Sequence, residues 1–265
     1  MPLSRPIVVS DRESLPKANI VRQCVFIILS SKTIGVTEGS AVRRLKQIGQ
    51  EFRAISDSIF RRPPPVGDAD ALADFIDQQA AFLTQKGIYE YARARAGHYA
   101  KVLFKEQPFV EAVERSRWLA YPIGLAMVAE LVEGVLRPLS ADRAGQQLEP
   151  LRALVLGVFD RYPVPEAIGA RGWSEARAEL ARRLQLIGLH PPKRAFEIAD
   201  PFVKAYFDLM PINEKLRRSE FPTIHGYLKV TLCNVHEELT QRMDAQAVIA
   251  SLLEGPAGGE EVRVP

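Results

Sequence analysis

The sequence predicts an all-α protein, a multi-helix bundle centred on a long antiparallel helix pair at about 68–104 and 108–137, with smaller C-terminal helices. Three observations predict it. Apolar residues recur at helical spacing in segment after segment, as in the stripe Phe221, Ile224, Leu228, Leu232, Val235 and Leu239. Prolines and glycines fall between these stripes and punctuate them. Only Cys24 to Leu29 has the β-branched run of a strand, and no second convincing strand follows for it to pair with.

The central pair sets the arrangement. Pro63, Pro64 and Pro65 cannot continue a helix, because each lacks an N–H and disfavours helix in the residue before it. Asp68 or Asp70 then caps a helix by accepting first-turn N–H groups. Phe75, Phe82, Tyr89, Ala96 and Leu103 recur every seven residues, which reads as one buried face. At ~1.5 Å per residue that helix would run about 50 Å, so a bend near Gly87 or Gly97 is expected. Pro108 suits the first turn of the second helix, which runs to Leu136 and stops before Pro138. Its stretch from Trp118 to Leu136 is the most apolar part of the chain. Glu130, Glu133 and Pro122 argue for a helix buried in protein and against a transmembrane span.

The remaining elements follow in order. Residues 1–38 form an irregular N-terminal segment broken by Pro2, Pro6 and Pro16. It lacks the pattern of a signal peptide. Two readings stay open: a short helix or extended piece laid on the bundle, or an extension upstream of the true start. An N-terminal helical bundle spans 39–162 and opens with a helix at about Ala41 to Phe60. A polar connection, Ser140 to Gln147, precedes a short helix at Leu148–Tyr162. Pro163 to Pro165 and Gly169 to Gly172 read as a loop, a hinge or subdomain boundary. C-terminal helices over 173–253 pack on the bundle: Trp173 to Ile187, Phe196 to Met210 with Pro201 near its start, Pro222 to Met243, and Ala245 to Leu253. Lys215 to Arg218 reads as a basic turn, and 254–265 as a disordered tail.

Composition bounds the function. The chain has 265 residues, and 47% hydrophobic content is ample for a core. Net charge is +3, from 35 basic and 32 acidic residues, which is too balanced for a dedicated nucleic-acid binder. Cys24 and Cys233 form no CxxC and read as small buried apolar residues in a reducing, cytoplasmic setting. No phosphate-binding loop, HExxH or nucleophile elbow is present. No motif asks for a cofactor or metal. His225 and His236 lie eleven residues apart on one helix, about 16 Å, too far to share a metal.

The residues with chemical potential are few. Glu130 and Glu133 lie on adjacent parts of one face in an apolar setting, where burial and mutual repulsion would raise their proton affinity. They are the candidate acid or base pair. With Trp118 and Tyr121 they could line a cavity for an apolar small molecule or lipid. Glu90, Arg93, His98 and Tyr99 are candidate ligand-binding residues, against the plainer reading of Glu90 and Arg93 as an i,i+3 surface pair. Arg43, Arg44, Lys46, Arg53, Arg61 and Arg62 form a basic face that either is solvated or meets acidic lipid, RNA or an acidic protein surface. With no aromatic interleaving, nucleic acid is the weaker option. The balance favours a non-enzymatic interaction protein, an adaptor, scaffold or assembly factor with a protein partner.

Overall fold

The computed structural model describes residues 64–139, 145–212 and 214–254, all within one compact unit. The N-terminal segment 1–38, the helix expected at Ala41 to Phe60 with its basic face, most of the Ser140–Gln147 connection and the tail beyond Glu254 lie outside the described residues.

The described residues form an all-α bundle. Its helices are α1 (Ala69–Ala81), α2 (Gly87–Ala96), α3 (Gln107–Leu136), α4 (Leu148–Asp160), α5 (Gly169–Leu186), α6 (Val203–Leu209), α7 (Glu214–Arg242) and α8 (Ala245–Glu254). A π-helical turn, Phe82–Lys86, joins α1 to α2, and a 3₁₀ turn with one further α-helical turn, Ala100–Leu103, leads to α3. Asp68 caps α1, its Oδ1 accepting from Ala71 N at 2.7 Å. The chain entry is tied to the C-terminal end: Val66 and Met243 form a parallel bridge, and Ser251 Oγ accepts from Ala69 N at 3.0 Å.

Helix α3 is the axis. It touches α1, the π-turn, α2, α4, α5, α6 and α7. Every residue from Ala120 to Glu133 is buried, so this stretch is surrounded on all sides. Gln107–Leu139 is long and apolar enough to cross a membrane, yet 83% of its most apolar window is buried inside the protein. The hairpin is antiparallel, as its cross-contacts show: Asp77 meets Tyr121 and Gln85 meets Arg117. At its closed end Phe104 packs edge-on against Tyr89 and Phe109, with ring centroids 5.1 and 5.2 Å apart.

The first arm of the hairpin departs from a regular helix. The seven-residue column does not stay inside: Phe75 is buried, but Phe82 and Tyr89 are 46% and 39% exposed. The buried column is Leu72, Ile76, Ala80, Thr84, Ile88 and Ala92, a spacing of four. A regular helix of 3.6 residues per turn rotates such a column away from its neighbour. The π-turn absorbs part of that drift by fitting extra residues into its turn. It also frees backbone carbonyls, and the Tyr227 hydroxyl donates to Leu83 O at 3.2 Å. The helix then ends at Gly97, whose φ of +52° interrupts it.

Other boundaries differ from the sequence reading. Gly169 to Gly172 is the first turn of α5, not a loop. Lys215 to Arg218 lies inside α7, with Pro222 within the helix. There Arg217 reaches back to Phe207 O and Met210 O at the end of α6 (3.4 and 3.2 Å), a C-terminal cap. Pro201 has no N–H to give, and the segment around it divides into a 3₁₀ turn, Ala195–Glu197, and the short α6. Cys233 is exposed, because it falls on the outer side of the stripe containing Leu232 and Val235.

Candidate functional site

Glu130 and Glu133 are both buried on α3, at 7% and 2% exposure. Neither is left with an unpaired charge. Glu130 Oε1 accepts from Lys193 Nζ at 2.7 Å, with His190 Nε2 at 3.4 Å. Glu133 holds Arg137 in a two-pronged pair, Nε and Nη2 lying 2.6 and 2.7 Å from its two oxygens. The third prong of Arg137, Nη1, donates to His190 O at 2.6 Å. The two carboxylates therefore clasp the loop at residues 190–193 against the end of α3. Neither lines the three principal clefts of the described surface. Each carboxylate is thus engaged by a cation of the fold itself, Glu130 by Lys193 and Glu133 by Arg137.

Glu90, Arg93 and His98 are exposed on α2 and the turn after it, and Tyr99 is 73% exposed. None of the four lines any of these three clefts. A charged contact that sequence reasoning missed lies beside them: Arg95 pairs with the buried Glu220 of α7. The Arg95 guanidinium holds the Glu220 carboxyl below the ordinary range. Among the described residues, no three His, Cys, Asp or Glu side chains group as they would around a metal.

Trp118 and Tyr121 do come together with other residues. Asp77 of α1 is the hub. Its Oδ1 accepts from the Tyr121 hydroxyl at 2.6 Å and from the Tyr162 hydroxyl at 2.8 Å, and Oδ2 lies 3.0 Å from the latter. Burial first, then the Asp77 contact, pushes both phenols above their ordinary pKa. Around this hub the rings pack edge to face. Trp118 meets Tyr162 at 5.5 Å and Trp173 at 5.8 Å, and Trp173 stacks on Phe159 at 4.1 Å. Trp118 donates its indole N–H to Glu114 Oε1 at 2.9 Å, while Arg117 Nη1 holds the other oxygen at 2.9 Å.

This cluster forms one end of the largest of the three clefts, a groove of about 1080 Å³. One wall is the N-terminal half of α3, from Gln107 to Trp118. The other is the Tyr162–Ala167 loop, with Pro163, Pro165 and Glu166. Arg115 Nη1 donates to Ala167 O at 2.9 Å and ties the walls together. The proline loop is thus a lip held to α3 by one side chain. A smaller cleft of about 270 Å³ between α3 and α5 is lined by Leu119, Ile123, Ile168, Ala176 and Leu180 among others.

No family model matches the chain, and no curated protein or solved structure matches it either.

Proposed function

We propose that this protein is a non-enzymatic interaction protein that docks a protein partner in the groove between α3 and the Tyr162–Ala167 loop. One observation carries the proposal. Trp118 and Tyr162 line the groove, yet the indole N–H is given to Glu114 and the phenol O–H to Asp77. Both donors are already engaged, the phenol's by Asp77 and the indole's by the neighbouring Glu114, so what the two residues add to the groove is ring surface, packed against the aromatic cluster. Large aromatics with little freedom to lose are what protein interfaces use as anchors. Pro163 and Pro165 stiffen the opposite lip.

The competing readings draw less support. Acid–base work by Glu130 and Glu133 needs an approachable carboxylate, and both are ion-paired beneath a loop. The small cleft between α3 and α5 is apolar in part but contains neither glutamate. The basic face from Arg43 to Arg62 that would meet an acidic lipid surface lies outside the described residues, and within them Arg177, Arg182 and Arg183 are each paired with Asp160 or Glu179. A cytoplasmic setting belongs to the proposal and is supported by Cys233, an exposed free thiol that a reducing compartment preserves.

The test places a bulky side chain in the groove. Ala112 is exposed and lines it, so Ala112→Trp fills space without disturbing the core. Tagged wild type, recovered from its native cells and cross-linked, is expected to carry a stoichiometric partner that Ala112→Trp loses. The reading fails if both forms are recovered as bare monomers, or if both retain the same partner.

A further inference from the structure

We infer that the occupant of the groove is an extended, basic peptide segment of the partner; this rests on the docking reading above. The groove matches such a segment in charge and in shape. Three carboxylates, Glu111, Glu114 and Glu166, line the groove, against one lining cation, Arg115. Glu114 is neutralised by Arg117. Glu111 accepts only from the neutral amide of Gln107, at 2.9 Å, and Glu166 has no ion-pair partner among the described residues. One free carboxylate therefore stands on each wall, with the rings of Trp118 and Tyr162 at the end between them. A guanidinium or ammonium is attracted by both kinds of lining group, by the charge of the carboxylates and by the quadrupole of the rings. With their N–H and O–H already donated to Glu114 and Asp77, the two rings add no donor that would favour an anion.

Length selects a peptide over a small cation. From Gln107 to Trp118 the helix wall rises about 16 Å, the reach of roughly five extended residues. The chain as a whole is basic, at +3. That does not oppose the inference, because at physiological salt charges beyond about 8 Å are screened and the local carboxylates dominate.

The experiment is a selection of randomised heptapeptides displayed on phage against the full chain, with counter-selection on Ala112→Trp to isolate binders of the groove. Expected is enrichment of Lys or Arg at two or more positions. The best peptide should bind with affinity that falls as salt rises, and Glu111→Gln with Glu166→Gln should weaken it ~10-fold, the scale of two exposed charge contacts, without shifting the melting temperature. Enrichment of acidic or uncharged sequences overturns the inference and leaves the docking site standing. Basic binding that ignores both substitutions also overturns it. No wild-type-specific enrichment at all overturns the inference and the docking reading together.

Discussion

Asp77 ties three elements together through one side chain: α1, α3 and the loop after α4. It is a carboxylate accepting from two phenols that come from different elements, and hydrogen bonds to a charged acceptor are worth more than neutral ones. Asp77→Ala should lower the unfolding free energy by ~2 kcal/mol, because the buried Tyr121 hydroxyl and the half-buried Tyr162 hydroxyl lose their acceptor at once. Tyr121→Phe and Tyr162→Phe should each cost about 1 kcal/mol, and the double variant should depart from their sum because they share one acceptor. Urea denaturation of the four forms checks this; strict additivity would show that the hub is not a unit. The same logic applies to Glu130. Lys193→Met should destabilise, because it strands a buried carboxylate, whereas Glu130→Leu combined with Lys193→Met should recover most of the loss. If the double variant is as unstable as the single, the pair is not what anchors the 190–193 loop. None of these partners was legible in the sequence. Asp77 reads there as an ordinary charge near a helix start, and its phenols lie 44 and 85 residues further on. Trp118 and Tyr121 were legible as candidates, because they open the one strongly apolar stretch.

At the scale of elements, two glycines in the hairpin show two different constraints. Gly124 sits in the middle of α3, where a Cβ would lie 2.7 Å from Thr84 Cγ2 and 2.9 Å from Ala80 O. The second contact is backbone and cannot swing aside, so Gly124→Ala should push α3 away from the π-turn and cost about 1–3 kcal/mol. Gly97 has nothing within 4 Å, but its φ of +52° with ψ of −126° suits few residues other than glycine. Gly97→Ala should cost about 1–3 kcal/mol through backbone strain alone. Gly157, exposed in α4 with open space around it, is the control: Gly157→Ala should stabilise by about 0.5–1 kcal/mol. Thermal melts of the three variants separate the cases; a stable Gly124→Ala would mean that the two arms of the hairpin are not in close contact. The arms themselves were readable from proline positions, the Asp68 cap and the long apolar run. The interior of the first arm was not, since aromatics every seven residues drew attention from the smaller Leu72, Ile76, Ala80 and Thr84 that occupy the true contact face. Short glycine and basic runs misled for a related reason. A helix takes up Gly169 to Gly172 or Lys215 to Arg218 when flanking residues pack, whatever their local preference.

Across the whole unit, the tyrosines tie the interior together and set a limit at high pH. The chain has seven, and Tyr91, Tyr121, Tyr162, Tyr206 and Tyr227 all hold their phenols above the ordinary value of 10.0. Burial is the first cause in each case. Tyr227, whose hydroxyl serves the π-turn, is pushed up to about 12. The sign follows from which state binds the proton more tightly. Folded phenols keep their protons to higher pH than unfolded ones, so their contribution to stability is intact below about pH 10. It is lost as pH climbs through the window between the unfolded value and the raised folded one. Within that window each phenol that stays protonated in the fold removes about 1.4 kcal/mol per pH unit. Tyr121, Tyr206 and Tyr227 carry most of this, while Tyr91 and Tyr162 lie nearer solvent and count for less. Each of the three thus draws down the unit's reserve of stability as pH climbs above 10. Helical circular dichroism should therefore stay level to about pH 10 and then collapse together with a steep rise in phenolate absorbance at 295 nm. Tyr227→Phe, which removes one of the three buried phenols, should move that collapse to higher pH relative to the variant's own neutral-pH stability. A gradual phenolate titration centred near 10, with the helical signal undisturbed, would mean that these rings are not enclosed as described and that the bundle is looser than its packing implies.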